Sequence, residues 1–284
     1  MKNQLSAGLV LEGNSTDSAV LRLPNIIDVL GPVKSGSLRI ARRLSNFLRA
    51  GYGVATYEEL QPARIILLRV PDSALDRVVQ ELCAANLIFS EIAFVLCDSW
   101  LSSDVLDPLV RRGAAVASVS RLKGSTPRFA VEGQPAATRP LRRILELNDA
   151  ITLELRPGTK QSLFAAELLT TALPIPLFAA AQQALRTCGI SGRMLLSVLE
   201  ENAVDMFRTF GAGARSIWGG PLTECSPETA ESYLRMLRDE LPGVAELLDT
   251  QLPPAQRMMA RSRQDDSPEI EDVPQAMSGR PGSR

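Results

Sequence analysis

Short apolar runs and polar, helix-patterned stretches alternate through the first half of the chain. Runs at residues 26–30, 65–70, 91–97, 114–119, 129–132 and 151–155 predict buried strands. Between them, residues 74–84, 103–112 and 139–147 repeat apolar side chains at helical spacing. The helix after Gly36 carries Leu38, Ala41, Leu44 and Leu48 on one stripe, with Arg39, Arg42, Arg43 and Arg49 mainly elsewhere as a solvated basic face. Strands alternating with helices predict an α/β domain built on a mostly parallel sheet.

The pattern changes at Pro157-Gly158, and no strand is evident from Thr159 onward. Residues 162–188 form a long alanine-rich helical run, interrupted by Pro174 and Pro176. Further helices are expected at 194–210, at 227–240 behind the capping Ser226, and at 244–259. The chain divides on this reading into a flexible lead-in (1–24), an α/β domain (25–157), an all-helical domain (158–261) and a polar, disordered tail (262–284). The apolar and small residues between Ser162 and Phe210 predict a homodimer through those helices.

One stretch bears on chemistry. Gly31-Pro32-Val33-Lys34-Ser35-Gly36 falls between the strand at 26–30 and the helix from about Ser37. A dinucleotide-binding turn needs G-x-G-x-x-G, so that main chain can approach a diphosphate. Gly31 and Gly36 match the outer glycines; Val33 stands at the middle position, where its branched side chain obstructs the approach. Lys34 and Ser35 offer an ammonium and a hydroxyl in partial compensation. Only about a dozen residues then separate Gly51 from the next clear strand, so the ribose-reading strand looks shortened or missing. These readings assign no cofactor and leave NADP open.

Composition narrows the chemistry further. The chain has 284 residues, is 45% hydrophobic and 22% charged, and carries a net charge of −1, with no global cue to nucleic acid. There is no histidine, which removes Ser-His-Asp and Cys-His systems and the commonest metal ligand. The four cysteines are scattered without a CxxC pair, as in a reduced cytoplasmic protein. No signal peptide and no apolar run of membrane-spanning length is read from the sequence.

Val70-Pro71-Asp72, the pair Glu132-Gly133 after Phe129, and Gly220-Pro221-Leu222 before a helix occur in an order and spacing that carry a resemblance. The chain resembles Rossmann-like proteins with a helical C-terminal domain of unknown function, related to pyrroline-5-carboxylate reductase and 6-phosphogluconate dehydrogenase. The resemblance covers roughly residues 25–248. It implies an N-terminal NAD(P)-binding domain, a dimerising helical domain and a cleft between them. It also implies that Lys160, at the mouth of the long helix, matches a lysine that could polarise a carbonyl; on its own, the residue reads as a solvated helix start. Family histidines fall here on Ser120-Arg121 and Phe164. Ser120 and Arg121 become candidates for holding a small anionic substrate, at a strand end where open α/β sheets bind ligands. The expectation is a degenerate relative of NAD(P)-dependent oxidoreductases acting as a binding or scaffold protein. The alternative is an active enzyme with an atypical phosphate loop.

Overall fold

The computed structural model describes residues 6–12, 18–211 and 224–265. Trp218, Gly220-Pro221-Leu222 and the tail beyond Asp265 lie outside them. Two compact units divide at Thr170/Thr171, somewhat later than the expected boundary at 157/158.

The first unit is built on one eight-stranded sheet. Its strands are β1 (Ala7–Leu11), β2 (Leu30–Lys34), β3 (Tyr52–Val54), β4 (Ile65–Arg69), β5 (Ala93–Cys97), β6 (Ala115–Leu122), β7 (Arg128–Gly133) and β8 (Ile151–Glu154). Their spatial order is β3-β2-β1-β4-β5-β6-β7-β8. Every pairing is parallel except β6 with β7. The order reverses beside β1: the chain runs outward through β2 and β3, then returns to β4 on β1's other side. Such a reversal is where open α/β sheets bind ligands.

The burial alternates as a two-faced sheet requires. Leu9, Leu11, Ile65, Leu67 and Val95 face one core with Leu141, Ile144 and Leu145 of the helix Pro135–Glu146. Val10, Ile66, Leu68, Phe94 and Leu96 face the other with Leu75, Val78, Val79 and Leu82 of the helix Asp72–Ala84. Strands buried on both faces read as continuous apolar runs, the property that made most of them visible in sequence.

The first strand is the main revision to the sequence reading. The stretch taken for a flexible lead-in contains β1, whose five residues are all buried and which lies inside the sheet between β2 and β4. Residues 24–28, expected in part as a strand, form a 3₁₀ turn, and β2 begins at Leu30. The supposed glycine turn is therefore mostly strand. Val33 is fully buried in the core, so its side chain faces packing rather than a diphosphate. The apparent loss of a strand after Gly51 disappears with this shift: β2 and the short β3 are both present. Gly51 adopts φ +66°, and a Cβ there would stand 2.2 Å from the Gly31 carbonyl oxygen. Its glycine is needed for close approach, while Arg49 (φ 53°) caps the helix α1 (Leu38–Leu48).

The second unit is helical among its described residues: Pro174–Thr187, Gly192–Gly211, Pro227–Glu240 and Pro242–Asp265. The Ser226 hydroxyl accepts from the Thr229 amide, as the capping pattern predicts. The last helix continues to Asp265, past the expected start of the tail at Ser262. With Asp72–Ala84 labelled α2, the helix Lys160–Glu167, a π turn and the helix from Pro174 form one run, Lys160–Thr187, of 28 residues. By length and composition that run could cross a membrane, which corrects the expectation that none is long enough.

Candidate functional site

The sheet's carboxyl edge divides into two chemically different regions. The first lies at the ends of β1 and β2. Glu12 follows β1 directly, and its amide donates to the Arg69 carbonyl at the end of β4 at 3.1 Å. Its carboxylate pairs closely with Arg77 on α2. Arg77 also pairs with Glu81 at 2.7 Å. The Tyr57 hydroxyl donates to Glu81 at 2.9 Å, and burial together with that carboxylate pushes the phenol's pKa up. Lys34, the last residue of β2, lies 4.7 Å over the Tyr57 ring and donates to the Ser35 carbonyl at 2.6 Å. Ser35 is buried, whereas a Cβ added at Gly36 would meet only open space. Lys34, Ser35 and Gly36 thus stand at the end of β2, and Gly31 lies within that strand.

In the standard arrangement, the first strand–helix turn receives the pyrophosphate, and the end of the second strand reads the ribose. Among the described residues, two features bear on that seat. The Glu12 carboxylate stands where the first turn begins, and Arg77 and Lys34 are already engaged. The segment that follows β1 reads Leu11-Glu12-Gly13-Asn14-Ser15-Thr16. In the phase that keeps Gly13 as the middle glycine, Leu11 and Thr16 occupy the outer two positions. Residues 13–17 lie outside the described set. The signal that could have found this segment was the apolar run 9–11 followed by Gly13.

The second region is buried between β6, β7 and the start of the helix Lys160–Glu167. Ser118 and Glu132 are direct cross-strand partners, and both are almost fully buried. Lys160 is 1% exposed, so the solvated helix start expected from sequence is overturned. Its ammonium donates to the Ser118 hydroxyl at 2.9 Å, and Ser118 in turn donates to Glu132 at 3.4 Å. Glu132 also accepts from the Ser102 hydroxyl at 3.0 Å and the Gly158 amide at 2.9 Å. Loss of hydration pushes the Lys160 pKa down to about 8; the charges of Glu132, Asp72 and Asp98 resist that fall. Burial drives the neighbouring Cys97 thiol well up, so it is inert as a nucleophile. Sequence reasoning named Lys160 but treated Glu132 only as a motif anchor and overlooked Ser118. A polar residue in an otherwise apolar strand, Ser118 within 115–119, was the available signal.

Ser120 and Arg121 lie inside β6, not beyond it. The Ser120 hydroxyl is buried and donates to the Ser99 carbonyl at 2.8 Å. Arg121 is exposed, opposite Phe129. The two therefore point to opposite faces and do not converge. Between the regions, Asp98 (φ 55°) accepts from the Ser18 hydroxyl and the Ala19 amide, with Arg69 3.8 Å away. Asp72 begins helix α2 and accepts from the Ser99 hydroxyl at 3.1 Å. Trp100 meets Phe164 edge-on at 5.4 Å. Among the described residues, no group of acids and cysteines could hold a metal ion.

No family model and no curated protein matches the chain. Solved structures do match over nearly its whole length. An NADP oxidoreductase-like protein from Bacteroides fragilis is 15% identical, with a TM-score of 0.64 over 92% of this chain and 98% of its own. An imine reductase from Aspergillus terreus, solved with NADPH4 and dibenz[c,e]azepine, is 14% identical, with a TM-score of 0.62 over 92% and 95%. Pyrroline-5-carboxylate reductase from Coxiella burnetii is 13% identical, with a TM-score of 0.55 over 92% and 98%. The chain thus shares with these proteins one fold, a Rossmann-like α/β unit followed by a helical region.

Proposed function

We propose that this chain is a degenerate relative of NAD(P)-dependent oxidoreductases, one that seats no dinucleotide in the ordinary pose and serves as a binding or scaffold protein. The observation that supports this reading is the Glu12–Arg77–Glu81 network, with Tyr57 and Lys34, at the ends of β1 and β2. Placing a pyrophosphate beside the Glu12 carboxylate would oppose like charges, and freeing Arg77 would leave two carboxylates unpaired. The absence of histidine from the sequence supports the same reading. Fluorescence titration with NADPH tests it. The wild-type chain should give no saturable signal at micromolar concentration, and Glu12→Ala should gain one. Micromolar saturation of the wild type would end the reading.

A second reading rests on a different observation. Lys160, with a pKa of about 8, sits near the range suited to general acid work at neutral pH. An active NAD(P)-dependent oxidoreductase with an atypical phosphate site at Lys34, Ser35 and Gly36 would use it to polarise a carbonyl or imine. Lys34→Ala would then weaken NADPH binding, whereas the first reading expects no change.

For the Lys160–Thr187 run, a second copy of the chain is the proposed partner rather than a lipid bilayer. It begins on the buried Lys160, contains Pro174 and Pro176, and carries Gln182 and Gln183. Light scattering of the detergent-free chain should give a dimer mass. A monodisperse monomer, or material soluble only in detergent, would count against this.

A further inference from the structure

Helix α1 has an outward face that its own unit does not use. Its inward side packs Ala41 and Leu44 into the core. Outward, Arg39, Arg42 and Arg43 are exposed, followed by Arg49 at its end. None of these four arginines is ion-paired with a described residue. No Asp or Glu occurs anywhere in residues 29–57, so no local acid offsets them. The arginines share the face with apolar groups: Phe47 is 71% exposed and Ile40 48%, and Tyr52 of the adjoining edge strand is 52% exposed. Ile40, Arg43 and Phe47 follow at i, i+3 and i+7, so they form one stripe, with Arg39 one turn from Arg43.

A solvated basic face has no need of an exposed phenylalanine and isoleucine. Unpaired arginines beside apolar anchors are instead the make-up of a docking surface, and arginine pairs carboxylates in a bidentate fork. The chain itself contains the complementary sequence. Asp265-Asp266-Ser267-Pro268-Glu269-Ile270-Glu271-Asp272 is rich in acids, free of bases, and followed by Val273. Ile270 and Val273 can meet the apolar stripe while the acids meet arginines.

We infer that the outward face of α1 docks the acidic segment 265–273 of a second copy of this chain. A second copy is favoured because the helices Pro174–Thr187 and Gly192–Gly211 also expose Ile175, Leu177, Met206, Phe207 and Phe210. Exposed apolar helices promote self-association, which raises the local concentration of a neighbour's segment.

The test uses a fluorescein-labelled peptide of residues 262–284 and the full chain with Asp265, Asp266, Glu269, Glu271 and Asp272 changed to Asn or Gln. The neutralised chain cannot compete with the peptide. Anisotropy should show saturable binding that weakens at least tenfold between 50 and about 300 mM salt. Arg39→Glu/Arg43→Glu should abolish it while leaving the circular dichroism unchanged. Light scattering of the unmodified chain should show a salt-sensitive association step. The Arg39→Glu/Arg43→Glu chain should lose that step and regain it when mixed with a chain whose five acids are changed to Lys. Peptide binding that ignores the arginine reversal would overturn the inference, as would a chain that stays monomeric throughout. Phosphatidylserine vesicles or single-stranded RNA bound at α1 and not displaced by the peptide would assign the face to another partner and overturn it as well.

Discussion

The two ends of the sheet's carboxyl edge handle charge in opposite ways. At β1 and β2, charges meet in open or half-open surroundings and neutralise one another through Glu12, Arg77 and Glu81. At β6 and β7, an ammonium and a carboxylate are withdrawn from water and linked through the Ser118 hydroxyl. The first arrangement is inexpensive to form and contributes little stability, because water and salt screen it. The second is costly to bury and is held only because its hydrogen bonds are nearly all made. The ends of β1 and β2 carry a surface ion network. The other side keeps a lysine with a depressed pKa.

The largest expected effect is at Glu132. Glu132→Ala would strand the Lys160 ammonium and leave Ser102 and the Gly158 amide without their acceptor, costing roughly 3–5 kcal/mol in urea unfolding. Pairing it with Lys160→Met should recover much of that loss. If Glu132→Ala costs less than about 1 kcal/mol, the second region is wet, and the contrast between the regions fails.

Next comes the pH response of Lys160. Its pKa is about 8 when folded and near 10.5 when free, so between those values the unfolded chain binds more protons. Stability should therefore rise with pH across that interval, by about 3 kcal/mol at most. Below pH 8 both states are protonated, and this contribution is flat. The measurable quantity is the difference between the wild type and Lys160→Met, since other groups also titrate there. Equal slopes for the two would mean that the lysine is hydrated.

Tyr57→Phe removes one half-buried hydrogen bond to Glu81 and should cost about 1 kcal/mol. Arg77→Ala should cost less than about 1 kcal/mol, and that cost should shrink further in high salt. A loss of several kcal/mol from Arg77→Ala would show that the first region is as structurally committed as the second.

Most strands were legible because burial on both faces writes a continuous apolar run, as in Ile65 to Leu68. β1 was not, because alanine and glycine dilute its apolar signal and the polar run Asn14-Ser15-Thr16-Asp17-Ser18 follows it. With β1 missed, Gly31 and Gly36 looked like a phosphate turn, when the chain there is strand and then helix cap. Lys160 was found through resemblance and misjudged in isolation. A lysine at a helix start is normally solvated, and nothing local reveals that Ser118 and Glu132, far away in sequence, enclose it.

The order of residues by itself determined the α/β unit followed by helices, and the exclusion of histidine chemistry. It also fixed the acid-free charge pattern of α1, because periodicity and composition are local properties. Only the tertiary structure decided that β1 lies inside the sheet, where the glycines fall, and that Lys160 is dry. Those facts depend on pairings such as Ala7 with Ile65 and Ser118 with Glu132, and strand pairing joins residues that no sequence window contains.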